Sequence, residues 1–179
     1  MSEEEDRRLV AECLTGHREA FAGLVDKYQK VLFNIALRMV RDYDDARDVT
    51  QSAFVKAYEK LDTYKPEYKF YSWLYRIALH EALNLMGRRR RHEPLDERLP
   101  AEGRGPDRDH EQAILNDQID SALQELSPDH RIVVILRHFL QMSMRDIGVV
   151  LEIPEKTVKS RLFTARHVLG NLLLRRGVV

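Results

Sequence analysis

Residues 143–169, SMRDIGVVLEIPEKTVKSRLFTARHVL, decide the fold of the C-terminal third. Ser143 with Asp146 resembles a capping box, although Glu or Gln usually closes one, and it opens a short helix. Pro154 opens a second helix after a tight turn. Val158, Leu162, Ala165 and Leu169 recur at helical spacing and predict the buried side of that second helix. Lys156, Lys159, Ser160, Phe163, Thr164 and Arg166 fall elsewhere on the wheel and predict an outward, basic face. A helix of this shape and charge fits the DNA major groove. Lysine and arginine neutralise phosphates without reading sequence, whereas Ser160 and Phe163 can reach base edges or a thymine methyl. A solvated basic face is the plainer reading. The capped helix, the short turn and the charge placement together favour DNA.

Working outward, Ser127-Pro128-Asp129 combines a cap, a proline at the first helical position and an acid at the positive helix end. The helix it starts is expected to bury Ile132, Val133, Ile135, Leu136 and Phe139. Before it, Ile114, Leu115, Ile119, Ala122, Leu123 and Leu126 mark another amphipathic helix. In the N-terminal half, Phe21, Leu24, Val25, Tyr28, Val31, Leu32, Ile35, Ala36 and Met39 predict one long helix. A second is expected from about Asp44 to Leu61, with Ala46, Val49, Ala53, Ala57 and Leu61 on one side. A break with Pro66 spans Thr63 to Lys69, and a third helix runs from about Phe70 to Arg91. No useful two-residue alternation occurs, so the expected fold class is all-α.

The 179 residues carry 29 basic and 29 acidic side chains, so net charge says nothing about partners. Distribution says more. From His92 to Glu111 there are seven acids against three bases, with three prolines. Such a stretch cannot bury enough apolar area to offset its ordering entropy, and it predicts a mobile tether between two small domains. The single cysteine, Cys13, excludes an intrachain disulfide, and its leucine-flanked position predicts a buried, inert thiol. The charged start, MSEEEDRR, lacks the apolar core of a signal peptide. The longest apolar run, Ile132 to Leu136, is too short to span a membrane. A cytoplasmic protein without membrane insertion is expected.

Phe70, Tyr71, Trp73 and Tyr75 cluster at the start of the third helix, and Arg88 to Arg91 close it. Aromatics can stack on unpaired bases while arginines track the backbone. Core packing is the simpler role for the aromatics, and Trp73, Leu74, Ile77 and Ala78 have core spacing. His80-Glu81-Ala82-Leu83-Asn84 misses the HExxH zinc helix by its last residue, so no metal or other cofactor is expected, and no catalytic residue is assigned. A helix-turn-helix repressor and a protein-interaction adaptor both remain open on these residues alone.

Three stretches taken together carry a resemblance: DDARDVTQSAFVKAYEKLDTY, FYSWLYRIALHEALNLMGRRRR and LSPDHRIVVILRHFLQMSMRDIGVVLEIPEKTVKSRLFTAR. In order and spacing they are similar to a bacterial extracytoplasmic-function sigma factor of the sigma-70 family, over about Arg18 to Leu174. The resemblance implies two helical domains. Residues 1–91 would be the region 2 bundle and 111–179 the region 4 helix-turn-helix, with 92–110 as a flexible acidic linker. It implies an alternative sigma factor that brings RNA polymerase core to promoters and starts transcription. Its partners would be the clamp and flap regions of the core, promoter DNA as duplex and as melted strand, and an anti-sigma factor.

The resemblance also implies residue roles. Asp45, Asp48, Gln51 and Phe54 would dock on the polymerase clamp, carboxylates meeting basic helices around an apolar anchor. Arg47 and Ser52 stand where the family commonly has acids. Phosphorylation of Thr50 or Ser52 would restore charge there, against the simpler reading of ordinary helical hydroxyls. The minus-ten element would be held by the loop from Tyr64 to Lys69, by His80 and Asn84, and by Arg88, Arg89, Arg90 and Arg91. Asparagine is common where His80 stands. The minus-thirty-five element would be met by Lys156, Lys159, Ser160, Arg161, Phe163 and Arg166. Lys156 replaces a usual glycine and Gly148 a usual alanine. The linker would thread the RNA path of the polymerase.

Overall fold

The computed structural model describes residues 3–92 and 110–178; of the expected linker over 92–110, His92 and His110 fall in helices and positions 93–109 lie outside the described residues. Among the described residues every regular element is a helix. The chain divides into two compact units, the first carried by α1 to α4 and the second by α5 to α8.

The first unit contains α1 (Glu3–Leu14), α2 (Ala20–Val40), α3 (Tyr43–Glu59), a short 3-10 turn (Leu61–Thr63) and α4 (Phe70–His92). The sequence reading marked a leucine-flanked helical pattern at Cys13 but set no bounds for α1. Its apolar face is thin, with Leu9 and Val10 as its main contributions, and it is stabilised instead by acids at its positive end and by a buried carboxylate. Gly16, at φ +104°, ends the turn after it, a conformation that favours glycine. Gly23 lets α1 lie close to α2, since a methyl there would meet Leu9 Cδ1 at 3.3 Å. Asp6 is 2% exposed and accepts from Tyr28 Oη at 2.7 Å, while Lys27 Nζ pairs with its other oxygen.

The expected faces of α2 and α3 hold: Leu24, Leu32, Ile35 and Met39 are buried on α2, and Ala46, Val49, Ala53 and Ala57 on α3. The second helix stops earlier than expected, because the 3-10 turn takes over at Leu61. In α4 the core is Phe70, Leu74, Tyr75, Ala78 and Leu79, not the expected Trp73 and Ile77, which are half-buried. Trp73 packs on Tyr64 and Phe70 with tilted rings, each at 5.7 Å between centroids. Cys13 is also only half-buried, and burial with the nearby Glu12 and Glu19 raises its thiol pKa.

The second unit contains α5 (His110–Gln124), α6 (Pro128–Val134), a π turn (Ile135–Phe139), α7 (Met144–Leu151) and α8 (Glu155–Arg175). Ser127 caps α6 with Pro128 at its start, and Ser143 Oγ accepts from Asp146 N at 3.0 Å as the cap of α7. Ser143 Oγ also donates to Asp146 Oδ2 at 2.8 Å, so the short aspartate closes the box through the side chain. The π turn departs from the sequence reading. It widens the last turn by one residue, so Phe139, expected in the core, is 39% exposed. Leu136, Ile147, Val158, Leu162 and Ala165 fill the centre, and Leu169 is half-buried.

Candidate nucleic-acid interface

The turn between α7 and α8 is set by close backbone packing. Glu152 takes the left-handed conformation at φ +54°, and Ile153 N donates to Gly148 O at 3.1 Å. Gly148 is buried, and a methyl on it would lie 2.9 Å from Ile153 O. The glycine therefore permits a tighter turn than alanine would. It aims the first turns of α8 outward while Val158 and Leu162 anchor its inner side.

On the outward side, Lys156, Lys159, Ser160 and Phe163 are exposed, Phe163 at 77%. An aromatic left that open on a folded helix has no packing role within the unit. Lys159 Nζ pairs with Glu155 at 2.7 Å, an exposed contact of little energetic weight that a phosphate could displace. Arg161 is placed apart from this group. Its position on the wheel is nearly opposite Phe163, and it pairs with Asp129 at 2.8 Å on the first turn of α6. Arg166 is exposed and donates through Nε to His138 Nε2 at 3.2 Å. His167 and Asn171 extend the outward face beyond the residues singled out from sequence, and both are exposed.

In the first unit the loop from Tyr64 to Lys69 and one stripe of α4 form a second candidate surface. Tyr64 differs from its expected role: it is 6% exposed, and its hydroxyl donates to Tyr68 O at 2.7 Å. Its ring meets Phe70 edge-on at 5.4 Å. Burial raises its phenol pKa, so the hydroxyl stays a donor. Tyr64 therefore closes the loop from within, and the open aromatic is Tyr68, which the reading of the sequence did not single out. Lys69 Nζ lies 3.5 Å from Glu3 and 5.5 Å from the Tyr71 ring. His80, Asn84 and Arg88 recur at four-residue spacing, and all are exposed on one face. Arg89 turns away and pairs with Asp45 at 2.6 Å. Arg90 and Arg91 lie in the last turn of α4, outside the described side chains.

The α3 residues split in the same way. Asp48 and Gln51 are exposed, while Asp45 is largely covered by Arg89. Phe54 is buried at the floor of a cleft of about 560 Å³ against Phe21, 6.4 Å between centroids. Val25, Phe33, Val55, Lys30, Arg47 and Gln51 also line the cleft. The Thr50 hydroxyl donates to Ala46 O at 2.7 Å, the ordinary helical arrangement. Among the described residues no helix is long and apolar enough to cross a membrane.

One unit is a helix-turn-helix with an open basic face, and the other is a helical unit bearing an aromatic loop and a polar stripe, the make-up of a two-part helical protein with candidate DNA-facing surfaces. The comparisons make the class specific. Sigma-70 region 2 matches residues 24–92 and Sigma-70 region 4 matches residues 116–168. The RNA polymerase sigma-H factor of Pseudomonas aeruginosa is 35% identical, over 97% of this chain and 96% of its own. The ECF RNA polymerase sigma-E factor of Escherichia coli is 33% identical, over 93% of each chain. Among solved structures, CnrH in complex with the cytosolic domain of CnrY superposes with a TM-score of 0.73 at 28% identity, covering 94% of this chain and 97% of that one. The chain belongs to the sigma-70 family, in its extracytoplasmic-function group. It is an alternative sigma factor acting in transcription initiation, in a family of transcription regulators and not of catalysts.

Proposed function

We propose that the two surfaces grip two separate promoter elements while the chain rides on RNA polymerase core. The outward face of α8 reads the minus-thirty-five element through Lys156, Lys159, Ser160, Phe163 and Arg166. The open loop with Tyr68 and Lys69, and the His80–Asn84–Arg88 stripe, hold the minus-ten element once it opens. A base must leave the stack before its edge can be read, so a pocket for an extruded base contributes directly to melting. Asp48, Gln51 and the cleft floored by Phe54 dock on the polymerase clamp in the cytoplasm. The observation that carries this reading is the 77% exposure of Phe163 amid lysines, on a helix whose other side is anchored by the buried Val158, Leu162 and Ala165. CnrH has been solved with the cytosolic domain of CnrY, and an anti-sigma partner of like kind would cover these faces.

Run-off transcription with purified core polymerase tests the proposal. Discrete start sites that depend on this chain are expected. A folded chain that gives none, with no partner bound, would refute it. A repressor would instead bind duplex sites tightly without the core.

Lys159→Ala is expected to weaken promoter binding alike on all sequences and to lower the salt slope by about one. Arg166→Ala is expected to cost roughly 1–3 kcal/mol and to relax preference at one base pair, if it meets a base edge. Fluorescence anisotropy across a salt series, on matched and altered duplexes, separates the two. Unchanged affinity in both variants would remove α8 from the interface.

A further inference from the structure

The π turn between α6 and α7 is built around His138. Leu140 N closes it on Ile135 O at 3.3 Å. Gln141, at φ +54°, donates from Nε2 to His138 O at 2.8 Å. Arg137 Nη1 donates to Met142 O at 2.7 Å. Wide turns of this kind are uncommon and cluster at functional positions. The outcome here is specific: the extra residue carries the His138 ring to α8, where its Nε2 accepts from Arg166 Nε at 3.2 Å.

We infer that His138 is a positioning residue for Arg166, holding the guanidinium by Nε so that both Nη groups stay available for a base or a phosphate. A bidentate grip on guanine or phosphate uses a pair of parallel N–H donors from the planar fork. An arginine tied at Nε keeps its Nη pair and loses side-chain freedom before DNA arrives, which lowers the ordering cost of binding. The inference rests on the reading of α8 as the DNA-facing helix.

The contact needs a neutral imidazole, because Nε2 is the acceptor. The charged groups acting on the ring are Arg166 from α8 and Arg137 from its own turn, both cations. Partial burial first, and then these two cations, lower the histidine pKa below its ordinary value. The bond is therefore present near neutral pH. It is lost on acidification, when the ring becomes a cation facing another cation. Grip by Arg166 should weaken as pH falls through the lowered histidine pKa.

The test uses the holoenzyme and a short duplex with the minus-thirty-five element of a promoter mapped by run-off transcription. A second duplex carries the element scrambled, and discrimination between the two is measured. His138→Ala is expected to reduce discrimination by roughly threefold to tenfold, the size of one lost hydrogen bond. His138→Gln, which offers an acceptor that does not titrate, should restore most of it. As pH falls below the ordinary histidine range the unaltered chain should lose discrimination and the glutamine variant should not. His138→Ala added to Arg166→Ala should cost nothing more. Additive effects, or a glutamine variant as poor as the alanine one, overturn the inference. If Arg166→Ala is itself silent, the reading of α8 fails, and the positioning role falls with it.

Discussion

Asp6→Ala will lower the stability of the first unit by about 3–5 kcal/mol, the cost of removing one partner of a buried ion pair. Lys27 and Asp6 are both nearly buried, with side chains 8% and 3% exposed. The Tyr28 hydroxyl donates to the same carboxylate, and burial raises the Tyr28 phenol pKa well above the ordinary range, so it is a donor at any working pH. Alanine removes the buried acceptor that the ammonium and the hydroxyl share, and leaves Lys27 the half-exposed Glu5 at 3.8 Å. Trp73 is the only tryptophan and belongs to the first unit, so urea unfolding followed by its fluorescence reports that unit alone. Asp6→Asn keeps an acceptor for Tyr28 while removing the charge, and should fall between. The effect should reach function, because the Tyr28 ring packs on Phe70 at 5.7 Å, and Phe70 on Tyr64 within the loop. Promoter opening by the alanine variant should drop at temperatures where core binding persists. A fluorescence midpoint equal to that of the unaltered chain would show that α1 is a passenger.

The case of α1 also shows where the sequence stops being legible. Helices α2, α3 and α8 announce themselves because apolar residues recur on one side, and periodicity carries that information without any partner. The face of α1 is held largely by one aspartate reaching Lys27 and Tyr28, more than twenty residues away, and no local pattern encodes that bond. The π turn escaped for a related reason. Its residues, Ile135 to Phe139, have ordinary helical spacing, and only tertiary packing selects the extra residue that brings His138 to Arg166 and puts Phe139 outside.

Residue roles were less legible than elements. Exposure of Lys156, Lys159, Ser160 and Phe163 follows from the wheel alone. Tyr64 and Tyr68 cannot be told apart by type, since both lie in the same proline-containing loop. The hydroxyl of Tyr64 reaching Tyr68 O decides which ring is inside. Arg161 looked like its basic neighbours until Asp129, thirty-two positions earlier, was found against it.

Arg131→Met is expected to be the most damaging change in the second unit. Arg131 immediately precedes the apolar run of α6 and is 4% exposed. Its Nε donates to Leu123 O at 2.9 Å, and its Nη2 donates to Gln124 O at 2.6 Å and to Leu126 O at 3.3 Å. These carbonyls belong to the last turn of α5 and the residues after it, where helix groups lack donors and the dipole favours a cation. One guanidinium thus ties the end of α5 to α6. Methionine matches the length but takes the guanidinium donors away from a buried site; Leu123 O keeps the Leu126 amide at 3.2 Å, and each group left short of a donor costs roughly 1–3 kcal/mol. Lysine should recover only part of this, because a single ammonium cannot reproduce the planar fork. The thermal transition of the second unit should move down by more than about 10 °C, while the Trp73 signal of the first unit stays in place. Minus-thirty-five binding should be normal for the variant in the cold and fail early on warming, since α5 packs along α8 and Arg131 itself does not face DNA. Loss of binding at a temperature where circular dichroism reports a folded unit would instead make Arg131 part of the DNA contact, against its burial.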